Sequence, residues 1–210
     1  MVGRVEQLER ASSGEQAQGL GAGRDTATQI GQGVELAVLG SVVEHSPWVA
    51  ERAWSLRPFP SQTALFDAMA RVIHGADGVR QLALLCAHPE LAGQEAQAGT
   101  MTTDSQNEQA RLGLLSLDAA TVQRIAALNQ RYRDRFGYPF IAALRLHDTL
   151  ASVFEAFEAR LTHDDATERQ AALQQICEVM RGRLARVVQP DAPTPLSSRP
   201  AVSTLAGTQP

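Results

Sequence analysis

Lysine is absent from the 210 residues, and all 19 basic side chains are arginine. No side-chain amine is available for a Schiff base, for anchoring pyridoxal phosphate or for the phosphate grip of a P-loop, so the chain excludes those chemistries. Aromatic residues are scarce at 5%, which leaves a core built mainly from Leu, Val, Ile and Ala, a composition that favours helices. Cysteine occurs only as Cys86 and Cys177. Both fall in apolar helical patterns without CxxC or Cys/His spacing, and they read as small reduced hydrophobes suited to the cytosol. There is no apolar run of about 18 residues, no charged-then-apolar leader and no C-terminal address, so the expectation is a soluble cytoplasmic protein with no membrane partner. The 19 basic and 23 acidic residues give a net charge of −4. The arginines are scattered and form no basic stripe, and no nucleic-acid partner is expected.

What the chain does contain is helical periodicity between two biased ends. Residues 1–32 are rich in Gly, Gln, Ala and Ser, and residues 189–210 carry repeated proline among Ser and Thr. Both are expected to be disordered, which leaves a domain at 33–188. Within it Leu65, Met69, Val72 and Ile73 recur at helical spacing. So do Val122, Ile125, Leu128 and Tyr132, then Leu146, Leu150, Val153, Phe154, Phe157 and Leu161, and finally Leu173, Ile176, Cys177, Met180, Leu184 and Val187. Turn signals at Arg57-Pro58, Gly75-Ala76-Asp77-Gly78, His88-Pro89, Gly99 and Gly137-Tyr138-Pro139 separate these segments. The expected fold is all-α, a single helical domain of six to eight helices.

Three polar positions stand out against this pattern. None of the five histidines pairs at the i, i+4 spacing of a helical metal site, so no metal is expected. His88 follows an apolar run and precedes Pro89, which ends the helix there. An imidazole at that place can be half-buried and reachable for proton transfer, or simply hydrogen-bonded to a carbonyl at the helix end. The helix opened by residues 103–109 is expected to continue through Leu112 and Leu115, and Glu108, four and seven residues before them, shares their inward face. Local capping is the competing account, since Ser105-x-x-Glu108 and Thr103-x-x-Gln106 both match a capping box. Arg183 follows Ile176 by seven and Met180 by three residues, on the buried side of the last helix. It either lays its stem along the core and reaches water, or presents its fork to an anion or to Glu108.

Read in order, the segments Glu44-His45-Ser46-Pro47-Trp48-Val49-Ala50-Glu51, Arg57-Pro58-Phe59, His88-Pro89-Glu90-Leu91-Ala92-Gly93, Ser105-Gln106-Asn107-Glu108-Gln109, Leu128-Asn129 with Tyr132, Arg135-Phe136-Gly137-Tyr138-Pro139-Phe140-Ile141 and Arg183-Leu184 resemble the 2-oxo-4-hydroxy-4-carboxy-5-ureidoimidazoline (OHCU) decarboxylases of uric acid degradation. The resemblance implies an all-α fold, usually a homodimer, with neither metal nor organic cofactor. It also implies conversion of OHCU to (S)-allantoin and CO2, a reaction that without the enzyme yields racemic allantoin. The family's catalytic histidine falls on His88 and its catalytic glutamate on Glu108. Its ligand contacts fall on Pro89, Ser105, Gln106, Asn107 and Gln109, and on the segment Phe140, Ile141, Ala142, Ala143 and Leu144, which meets the ligand partly through its backbone. The active-site arginine falls on Arg183. In this reading His88 handles the proton and is oriented or tuned by Glu108, a nearby carboxylate raising the imidazole pKa. Arg183 and the amides of residues 140–144 hold the substrate's oxygens. Leu112 stands where the family commonly has alanine. Two other readings stay open: a cofactor-free hydrolase or tautomerase of a related ring compound, and a non-catalytic helical interaction module whose polar motifs are caps.

Overall fold

The computed structural model of the chain describes residues 36–188; the expected disordered lead and proline-rich tail lie outside the described residues. These hold nine α-helices and no strand: α1 (Leu36–Gly40), α2 (Trp48–Trp54), α3 (Gln62–His74), α4 (Gly78–Cys86), α5 (Gln94–Ala98), α6 (Thr103–Arg111), α7 (Ala119–Phe136), α8 (Leu150–Arg160) and α9 (Asp165–Val187), with a 3₁₀ turn at Leu144–Leu146. The number exceeds the expected six to eight because α1 and α5 are five-residue turns, too short to leave a periodic signature. None of the described helices is long and apolar enough to cross a membrane.

Most helix starts are encoded locally. Ser61, Asp77, Asp118, Thr149 and Asp164 each accept a hydrogen bond from the backbone N–H three residues on, satisfying a donor that the first turn leaves without a partner. The periodic apolar residues then face one core. Leu65, Met69, Ile73, Ile125, Val153, Phe157, Leu173, Ile176, Met180 and Leu184 are all buried in it. The 23-residue α9 is the spine and packs against α1, α3 and α4. Truncating one of its buried leucines to alanine would cost about 2–5 kcal/mol. Two expectations need correction. Leu146 belongs to the 3₁₀ turn and is exposed. Cys86 is also exposed, because α4 turns Gln81, Leu84 and Leu85 inward and leaves its last residue outside; Cys177 is buried as expected.

Five of the ten aromatic residues gather in one place. Tyr132, Phe136, Tyr138, Phe140 and Phe157 form one cluster, with the Phe140 and Phe157 rings stacked at 3.9 Å between centroids. Gly137, at φ 79°, ends α7 in the left-handed conformation, a backbone state glycine adopts without steric cost. The chain then continues without regular structure through Phe140, whose buried ring belongs to a segment that lines the cavity described next.

Candidate active site

Four stretches far apart in sequence converge on a small cavity. His88, Pro89 and Leu91 enter from the end of α4; Ser105, Glu108 and Gln109 from α6; Phe140, Ile141, Ala142 and Leu144 from the segment after α7; Val179 and Arg183 from α9. Pro89 ends α4 as the sequence predicts, since the helix stops at Cys86 and His88 folds back under it. The His88 side chain is buried, with Nδ1 3.0 Å from the Leu84 carbonyl oxygen. A carbonyl only accepts, so Nδ1 carries the hydrogen and Nε2 keeps its lone pair. Nε2 is buried and has no hydrogen-bond partner among the described residues. The helix-end hydrogen bond is thus present on one nitrogen, while the other is unpartnered and, unlike the expected half-buried group, buried. The expected rise in the imidazole pKa is corrected: burial pushes His88 down from 6.5 to about 4, and the Leu84 carbonyl and Glu44 pull it up by less. The free protein therefore holds a neutral imidazole at pH 7.

Arg183 is 2% exposed, so its guanidinium does not reach water. It forks onto Glu108, with Nε 3.0 Å from Oε1 and Nη2 2.8 Å from Oε2. Nη1 donates to Glu44 at 2.7 Å and Nη2 to the Ser105 hydroxyl at 3.1 Å. Burial opposes the arginine's charge, yet the two glutamates outweigh it and hold the group firmly protonated. Glu44 lies in the turn between α1 and α2, and the sequence assigns it no role. Its carboxylate accepts from Thr102 Oγ1 at 2.6 Å and Ser105 Oγ at 2.9 Å. Burial works against its charge, but the hydrogen bonds from Thr102, Arg183 and Ser105 outweigh it and leave its pKa below the usual carboxylate value. The trio sets two carboxylates against one guanidinium.

The capping reading is corrected in detail. Thr102, and neither Ser105 nor Thr103, caps α6 by accepting from the Ser105 N–H. The Ser105 hydroxyl is left for Glu44 and Arg183. Nor does α6 continue through Leu115: it ends at Arg111, because Gly113 takes a left-handed conformation at φ 71°. Leu115 is exposed. Glu108 shares its inward face with Ser105, one turn before it, and not with Leu115.

Of the remaining candidate positions, Gln109 is buried and braces backbone, accepting from the Ala92 N–H at 2.9 Å and donating to the Glu90 carbonyl at 3.1 Å. Gln106 and Asn107 do not line the cavity: Gln106 reaches the Gly99 and Met101 carbonyls, and Asn107 faces outward and is exposed. Ala143 is buried behind the wall, where its N–H already donates to Gln175 Oε1 at 2.8 Å. The segment is pinned further by Arg160, whose Nη1 donates to the Ile141 carbonyl at 2.5 Å, and by Arg111, which donates to the Leu144 carbonyl. Val179, one turn before Arg183 on α9, supplies apolar wall that only its four-residue spacing from Arg183 could have indicated. No group of three or more His, Cys, Asp or Glu among the described residues could hold a metal ion.

Fold and site together define an all-α protein whose cavity joins a neutral imidazole to a clamped carboxylate, groups suited to moving protons on a small polar ligand. The chain belongs to the OHCU decarboxylase family, whose model matches residues 28–185. It is 40% identical over 152 residues to the 2-oxo-4-hydroxy-4-carboxy-5-ureidoimidazoline decarboxylase of Halalkalicoccus jeotgali, covering 72% of this chain and 84% of that protein. With the protein of the same name from Haloferax volcanii the identity is 41% over 146 residues, covering 70% and 84%. Among solved structures, an (S)-allantoin synthase superposes with a TM-score of 0.56 at 31% identity, covering 73% of this chain and 49% of that one. This chain therefore spans about half of that structure's length.

Proposed function

We propose that the protein is a carboxy-lyase that converts OHCU to (S)-allantoin and CO2 in uric acid degradation, with His88 and Glu108 as its catalytic residues. One observation carries the reading: the Nε2 lone pair of His88 and the Arg183–Glu108 pair belong to the same cavity wall. Membership of the family and the names of its relatives point the same way. When CO2 leaves C4 of the ring, the bonding pair stays behind and forms a C4=C5 bond, while the former C5=N electrons take a proton at nitrogen. The C4 hydroxyl then gives up its proton as C4=O forms, and C5 receives a proton on one face. The balance is one substrate carboxylate plus one proton giving allantoin and CO2.

His88 Nε2 is the group placed to take the hydroxyl proton and return it to C5 on its own side, which sets the handedness. The neutral imidazole of the free protein is ready to accept, and the negative charge of a bound substrate raises its proton affinity at that moment. Arg183 and Glu108 orient the ring's polar edge, with Ser105, Pro89 and residues 140–144 completing the contacts. The protein works as a homodimer in the cytoplasm, in keeping with the family resemblance and with two free thiols. Protein supplied with freshly generated OHCU, without added metal, should yield optically active allantoin. His88→Ala should cut turnover by about 10²–10⁴-fold and leave the racemic background. Racemic allantoin at the uncatalysed rate from the unaltered protein would overturn the proposal.

A further inference from the structure

Glu44 has no part in the chemistry proposed above, although it is as fully enclosed as any carboxylate near the cavity, its side chain 1% exposed. Enclosing a carboxylate costs several kcal/mol unless its partners are well placed, and here they are. Thr102 and Ser105 of α6 hold it at 2.6 and 2.9 Å, and Arg183 of α9 meets it at 2.7 Å. The opposite edge of the same planar guanidinium carries both oxygens of Glu108, which returns to α6. The contacts form a closed ring from α6 through Glu44 and Arg183 back to α6. A guanidinium is a rigid fork, so fixing Nη1 fixes the direction in which Nε and Nη2 point. Glu108 is the freer carboxylate, 23% exposed at its side chain. With Nη1 released, Arg183 could turn about its Cδ–Nε bond and carry Glu108 with it.

From this ring we infer that Glu44 is a positioning residue, acting through Arg183 to set where the Glu108 carboxylate sits in the cavity. The inference rests on the proposed decarboxylase reading for its kinetic consequences but not for its geometry. Glu44→Gln keeps the shape and removes the charge. It should lower kcat about 10- to 100-fold, the scale of a misplacement near 1 Å, while KM changes much less. Glu44→Asp, which retains the charge on a shorter arm, should recover part of the loss. Because the effect passes through Arg183, Glu44→Gln in an Arg183→Lys background should cost little beyond Arg183→Lys alone, whereas independent roles would multiply.

Nuclear magnetic resonance of the arginine side chains supplies a readout without substrate. The Arg183 Nε–H signal, protected by Glu108 in the unaltered protein, should broaden or exchange quickly in Glu44→Gln. If Glu44→Gln does not fold, Thr102→Val, which removes one of Glu44's holders, should still lower kcat several-fold and loosen the same signal. Wild-type kcat in the variant that folds, multiplying losses in the double variant, or an unchanged Arg183 signal would overturn the inference. Racemic product from the unaltered protein would instead defeat the decarboxylase reading, with the Arg183 signal still deciding on the clamp.

Discussion

Two buried arginine–carboxylate clusters among the described residues use the same chemistry to different ends. Around Glu168, every oxygen is taken: Arg160 donates through Nε at 2.9 Å and through Nη2, Tyr132 donates its hydroxyl, and His163 Nδ1 lies at 2.8 Å. One carboxylate faces one guanidinium, and the remaining Arg160 nitrogen secures the Ile141 carbonyl. Around Arg183, two carboxylates share one guanidinium, one of them is partly exposed, and the cavity with its unpartnered imidazole nitrogen lies beside them. The first cluster has every carboxylate oxygen partnered and is closed, the second sets two carboxylates on one guanidinium and is open. The closed one reaches the 140–144 segment through the Arg160–Ile141 hydrogen bond, and that segment lines the cavity beside the open one.

The comparison breaks first at Glu168. Glu168→Gln leaves Arg160 buried without its counter-charge and should cost about 3–5 kcal/mol in urea unfolding; a loss under 1 kcal/mol would mean that the closed cluster is not structural. A somewhat smaller effect follows from His88. Its folded pKa of about 4 lies below the ordinary 6.5, so the unfolded chain binds the proton first. Stability is complete above pH 6.5 and declines by about 3 kcal/mol as the pH falls to 4. His88→Gln should remove that slope, leaving the further acid loss that Glu44 contributes as pH falls through its lowered pKa.

Glu108→Gln should reverse the Glu168 result, losing about 100-fold in turnover and only about 1 kcal/mol in stability, because Arg183 keeps Glu44. Intact turnover in Glu108→Gln would strip Glu108 of its catalytic role. The smallest change is at the boundary between the clusters. Gln175→Ala frees the Ala143 N–H and should cost about 1 kcal/mol, with a modest rise in KM measured in the same assay.

How much of this was legible in advance can be traced residue by residue. His88 is legible because Pro89 ends the helix by a clash with its immediate neighbour, a local effect. The faces of α3, α7 and α9 were found because helical periodicity spans only a few turns. Leu115 escapes the periodic pattern because Gly113, two residues earlier, stops the helix in a left-handed conformation. The exposure of Cys86 is not legible, because an apolar run alone does not say which of its members faces out.

Local sequence thus determined the all-α class, the point where α4 stops and the identities of the three polar groups that the resemblance joins. Only the tertiary structure decided which carboxylate meets which cation. Glu44 and Arg183 stand 139 residues apart, and Ser105 is diverted from capping by a loop 61 residues upstream. Helix formation is governed by neighbours within a turn, whereas the charge state and direction of a buried side chain depend on whatever the packed core brings within a few ångströms.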